Sequence, residues 1–211
     1  MTAATASPAG PALLGHLRRI AERRFERSIE APTRFFGAQA DLISRACLEM
    51  ARRFQRGGRL LVFGEGAEAT DAQHVAVEFV HPVIVGKRAL PAIALTNDVA
   101  ALTGTGRAGP PDQMFARTLE ILGREHDIAM GISGDGKGAA VRFGLARARQ
   151  LGMLTLGLAG CHAGVPTGSD ATDFFFVVPS DDPLVVQEVQ ETLYHVIWEL
   201  VHLFFEHRVV E

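Results

Sequence analysis

Cysteine is nearly absent from this chain. Its 211 residues hold only Cys47 and Cys161, which argues against a disulfide framework or a paired-cysteine metal site. A reducing cytoplasm is then the default compartment. A basic excess is also missing. With a formal net charge of −3 and 21% charged residues, neither nucleic acid nor an anionic membrane is expected as a partner. No stretch of about 18 apolar residues is free of charge, so no membrane-spanning helix is expected. Residues 1–15 have no basic leader before their apolar residues and are rich in Ala, Pro and Thr. They read as a disordered tail over about residues 1–12, not as a signal peptide. No internal repeat or linker divides the rest of the chain. Residues 13–211 are expected to form one domain, and 47% hydrophobic residues are enough for a substantial core.

What is present is organised around Arg59–Glu78. Leu60 to Phe63 form a short apolar run, the mark of a strand buried on both faces. Gly64 and Gly66 then permit a sharp reversal and close approach of a ligand to the backbone. From Ala67 the period changes: Ala69, Ala72, Ala76 and Phe79 recur at helical spacing. A strand, a Gly turn and a helix present free N–H groups and the positive end of a helix dipole. His74 and Glu78, both strong ligand side chains, sit four apart on that helix.

Two helices are expected before this unit. The first runs from Leu13 to Glu30 with Arg18, Arg19, Arg23, Arg24 and Arg27, a solvated face or a site for an acidic partner. Pro32 marks a break, and the second helix runs to about Gln55. After it, strands are expected at Pro91–Leu95, Ile128–Ser133, Leu154–Leu158 and Phe174–Val178. Helices are expected near Asp112–Leu122, Lys137–Gln150 and Pro183–His207. Alternating strands and helices with apolar strand runs predict a parallel sheet covered on both faces. The fold class is therefore α/β, a doubly wound three-layer sandwich. Ligands bind such sheets beyond the carboxyl ends of the strands, here the loops 64–69, 96–109 and 133–138.

The last helix carries an apolar stripe through Val186, Val189, Leu193 and Leu200. Beside it run Gln187, Glu191, His195 and His202, which at 100° per residue fall within roughly 80° of one another. Such a row is either a wet face or a ligand face. His81, His126, His162 and His207 are isolated and read as capping or surface groups. Gly131–Gly138 lacks the full signature of a nucleotide-binding loop.

Taken together, the Gly turn, Asp71-Ala-Gln-His74 ahead of Glu78, Leu90–Asp98, Asp127–Ser133, Ala146–Met153 and Val178–Val189 resemble the sugar isomerase (SIS) domain. Among SIS proteins the likeness is to phosphoheptose isomerases, over roughly residues 30 to 205. The resemblance implies a flavodoxin-like sheet of five parallel strands with N-terminal helices that pack between the subunits of a homotetramer. It also implies a metal site at His74, Glu78, Gln187 and His195, whose donor types suit Zn²⁺. Glu78 would be the base and His195 the acid of an aldose–ketose isomerisation through an enediol. Substrate contacts are implied at Gly64, Gly66, Glu68, Asn97, Asp98, Ser133, Asp135, Lys137 and Gln187.

The phosphate-binding positions depart from the family. Where it shows Asn-Gly-Gly-Ser, this chain has Glu65-Gly-Ala-Glu68; where it shows Ser-Thr-Ser-Gly-Asn-Ser, this chain has Ser133-Gly-Asp-Gly-Lys-Gly138. Only Ser133 keeps its hydroxyl. Ionised carboxylates are acceptors only and repel phosphate. Asp135 or Glu68 is expected to fill the N–H-lined hollow as an internal anion. Three readings are open: a phosphosugar isomerase with an altered loop, an enzyme for an unphosphorylated sugar-like ligand, or a non-catalytic binding or assembly module.

Overall fold

A computed structural model describes residues 10–107, 109–161 and 172–207 of the chain. Residues 1–9 of the expected tail, and His162, lie outside these. The elements in order are α1 (Pro11–Gln55), β1 (Leu60–Gly64), α2 (Glu68–Val80), β2 (Ala92–Ala94), α3 (Val99–Arg107), a 3₁₀ turn (Pro111–Gln113), α4 (Met114–Leu122), β3 (Ile128–Ser133), α5 (Ala139–Gln150), β4 (Leu154–Gly160), β5 (Phe174–Val178) and α6 (Pro183–Glu206). The five strands pair in parallel in the order β2-β1-β3-β4-β5.

Successive strand residues point to opposite faces, which makes two cores. Leu60, Val62, Ile128, Met130 and Leu156 pack toward α1, α2 and α6. Leu61, Phe63 and Ala129 pack toward α4 and α5 through Phe115, Leu119, Val141 and Leu145. The result is the expected three-layer α/β sandwich. At the amino ends of β1 and β3, Asp127 accepts hydrogen bonds from the Arg59 backbone (2.8 Å), Arg59 Nη2 (2.6 Å) and the Arg124 backbone (3.1 Å).

Three expectations need correction. The two N-terminal helices are one, and Pro32 lies inside it. Proline forfeits one helical hydrogen bond, but its neighbours Ala31 (6% exposed) and Phe35 (1%) are seated in the core, and that packing holds the helix continuous. The helix also starts at Pro11, inside the expected tail, with proline in its favoured first-turn position. The loop 96–109 contains the helix α3. Its glycines and threonines mask the helical period, and Asp98 Oδ1 starts it by accepting the Ala101 N–H at 2.8 Å.

Candidate active site

The sheet order reverses direction at β1 and β3, so the loops after these strands part and leave a crevice. A cavity of about 350 Å³ lies there, bounded by the β1–α2 turn, the β3–α5 loop and the start of α6. Gly64 is needed for the first of these boundaries: a Cβ on it would stand 2.5 Å from Glu68 O.

Further along α2 and α6, three side chains meet. Glu78 Oε1 is 3.0 Å from His195 Nε2 and 3.3 Å from His74 Nε2. The Glu78 side chain is 11% exposed, whereas the two imidazoles are partly open to solvent. Glu191 comes within 3.8 Å of His74 Nδ1, and ligand atoms of His74, Glu191 and His195 all lie within 4.8 Å of one another. Trp198 Nε1 donates to Glu78 O at 3.0 Å, fixing the spacing of the two helices. His202 is apart from this group, buried with its nitrogens on Trp198 O and Arg88 O.

The imidazole and carboxylate donors of His74, Glu191 and His195 are of the types that hold a divalent metal, whereas Glu78 lies at ion-pair distance from both imidazoles. Gln187 is turned elsewhere, donating its amide to both oxygens of Asp71 at 3.3 Å. Burial raises the Asp71 pKa, the Gln187 hydrogen bond opposes this, and the charge of Glu191 adds to it.

Of the expected substrate-contact residues, Glu68, Ser133 and Asp135 line the cavity. Asn97, Asp98 and Lys137 are exposed and outside its lining. Asp135 Oδ1 accepts the Lys137 N–H at 2.9 Å within its own turn, and Ser133 Oγ accepts the Gly136 N–H at 3.0 Å. The carboxylate that reaches the start of α5 belongs to Glu65, which sequence reasoning did not assign to the site. Burial, then the charge of Asp112, raises its pKa, and a hydrogen bond from the Val141 backbone lowers it. Tyr194 is the other unassigned contributor, whereas Glu191 belongs to the α6 row already read as a wet or ligand face.

A model of the SIS domain family matches residues 24–160. The chain belongs to the SIS domain family. It is also a homologue of phosphoheptose isomerases. It is 38% identical over 182 residues to that of Solidesulfovibrio magneticus, covering 86% of this chain and 88% of the relative. It is 40% identical over 176 residues to that of a Roseiflexus species, covering 83% and 88%. Among solved structures, the phosphoheptose isomerase of Francisella tularensis superposes with a TM-score of 0.81 at 29% identity, covering 89% of this chain and 98% of that one. The enzyme of Neisseria gonorrhoeae gives 0.78 at 28%, covering 88% and 98%.

Proposed function

We propose that this SIS protein is an aldose–ketose isomerase acting on a sugar or sugar phosphate, as the names of its relatives indicate for them. The supporting observation is the Glu78 carboxylate, mostly buried and within 3.3 Å of two imidazoles, further along the same two helices whose first turns border the ligand-sized crevice. In this reading Glu78 removes the proton from the carbon next to the carbonyl and returns it to the neighbouring carbon. His195 moves a proton at the carbonyl oxygen, so that charge never builds up fully on the enediol. His74, Glu191 and His195 would hold a divalent ion such as Zn²⁺, with Glu78 and Gln187 as further donors once turned from the imidazoles and from Asp71. When bound, the ion would polarise the sugar oxygens and stabilise enediolate charge.

Residues 13–211 act as one domain in this proposal, in the cytoplasm, as a homotetramer. Leu13, Leu14, Leu17, Ile20, Phe25 and Ile29 of α1 are 44–67% exposed, an apolar surface suited to association. Light scattering should then find tetramer at micromolar concentration; monomer alone would remove that part.

The catalytic part is tested by following aldose–ketose interconversion with Glu78→Gln. Loss of a general base should lower kcat by about 10²–10⁴ while sugar binding persists. Wild-type protein that binds sugar without turnover would instead make it a non-catalytic binding module.

A further inference from the structure

The cavity in the crevice between the β1–α2 turn and the β3–α5 loop is lined by carboxylates on the side where an anionic ligand would need donors. Glu65, Glu68, Asp135 and Asp181 border it together with Ser133 and Ser180, and no lysine, arginine or histidine is among its described lining residues. The start of α5 is the natural seat for an anion, since its first N–H groups and its dipole face outward. That seat is taken. The Glu65 carboxylate reaches it, its Oε2 lying 2.8 Å from where a Cβ on Gly138 would stand. Glu68 Oε1 lies 2.3 Å from the corresponding point on Gly134. Both acids thus reach from the β1–α2 turn across to the β3–α5 loop. Behind Ser133, the buried Gln190 gives its Nε2 to Ser133 O at 3.0 Å, and its Oε1 is another acceptor with no partner among the described residues.

We propose that this pocket selects sugars ending in a free hydroxyl and rejects those ending in phosphate, with Glu65 and Glu68 as the specificity-determining residues. The inference rests on the isomerase reading of the Glu78 site further along α2 and α6. Its physical basis is a surplus of acceptors. Sugar hydroxyls donate well to ionised carboxylates, and bonds to charged acceptors are the stronger kind. A phosphate dianion offers no donor when fully ionised and would face like charges in a partly desolvated site. The crowding is already felt inside the protein: after burial, the charges of Asp71, Asp135 and Glu65 all raise the Glu68 pKa. The cavity is large enough for a monosaccharide.

Calorimetric titration decides it. The ligands are pentoses, hexoses and heptoses, each as aldose and ketose, with and without terminal phosphate, and inorganic phosphate serves as competitor. Wild type should bind its best free sugar about tenfold or more tighter than the phosphate of that sugar, and inorganic phosphate should not compete. Glu65→Gln with Glu68→Gln keeps the shapes and removes both charges. This pair should shift the ratio toward the phosphosugar by about tenfold or more. Glu68→Ser alone should shift it the same way, and serves if the double variant fails to fold. Equal or tighter binding of phosphosugars by wild type, or an unchanged ratio in the variants, overturns this inference and leaves the isomerase reading standing. Absence of binding by every sugar overturns both.

Discussion

The Tyr194 hydroxyl lies 3.0 Å from His74 Nδ1, and the Tyr194 ring stands edge-on to both His74 and His195. Burial, then the charges of Asp71, Glu191 and Glu78, pushes the tyrosine pKa up, so the phenol stays neutral. A neutral phenol can donate or accept, and here it holds one ring nitrogen of His74 while Nε2 faces Glu78. Tyr194→Phe should fold, with a stability loss of about 1 kcal/mol for the lost hydrogen bond. Metal affinity, read by chelator competition, should fall roughly 10–100-fold, as when other outer partners of ligating histidines are removed. Unchanged affinity would make Tyr194 a packing residue only.

Glu191 and Gln187 make a second contrast. Glu191 groups with both imidazoles, whereas Gln187 is occupied by Asp71. Glu191→Gln should lower the metal content of dialysed protein, measured by elemental analysis, more than Gln187→Ala does. The reverse order would restore Gln187 as the stronger ligand.

Glu68 gives a pH-dependent outcome. Its folded-state pKa is raised, chiefly by burial, so in the native state it binds a proton more readily than in the unfolded chain. Such a carboxylate costs stability above its folded pKa, and the cost fades as pH falls toward the unfolded value. Glu68→Gln should therefore raise Tm at pH 7, by an amount that solvent screening of this half-exposed side chain keeps small. The gain should shrink as pH is lowered through the raised pKa. Calorimetry at several pH values checks it, and a gain independent of pH would place the effect elsewhere.

Far from the cavity, Asp127→Ala should destabilise without touching specificity. It removes a side chain 2% exposed, takes from Arg59 its charge partner while leaving its bond to Leu122 O, and leaves two backbone N–H groups unpaired. Only the carboxylate is fully buried, so the cost comes mainly from the orphaned backbone N–H groups, about 1–3 kcal/mol for each. Urea unfolding measures the loss; the kcat of the folded fraction should stay as in wild type.

Much of the fold could be read from the chain because each strand is a local signal. Leu60–Phe63, Ile128–Ser133 and Phe174–Val178 are short apolar runs between turn residues. The same holds for His74 with Glu78 and for Gln187, Glu191 and His195, since helical spacing alone puts them on a common face. What escaped is relational. Whether Gln187 faces the imidazoles or Asp71, and whether Asp135 or Glu65 reaches the start of α5, depends on distances between elements separated in sequence. No local period encodes these. Pro32 misled for a related reason: a breaker is judged by its neighbours in sequence, but α1 is held by its neighbours in space.

The pairing of α2 with α6 also has a consequence for the order of events at the ribosome. Asp71 meets Gln187, His74 meets Tyr194, and Glu78 meets Trp198 and His195, all across more than a hundred residues of chain. Domains are synthesised from the N-terminus at about 5–20 residues per second. The five strands are therefore all made before the helix that completes the site. Through most of its synthesis the nascent chain carries Glu78 without either His195 or Trp198, a sheet with no working centre.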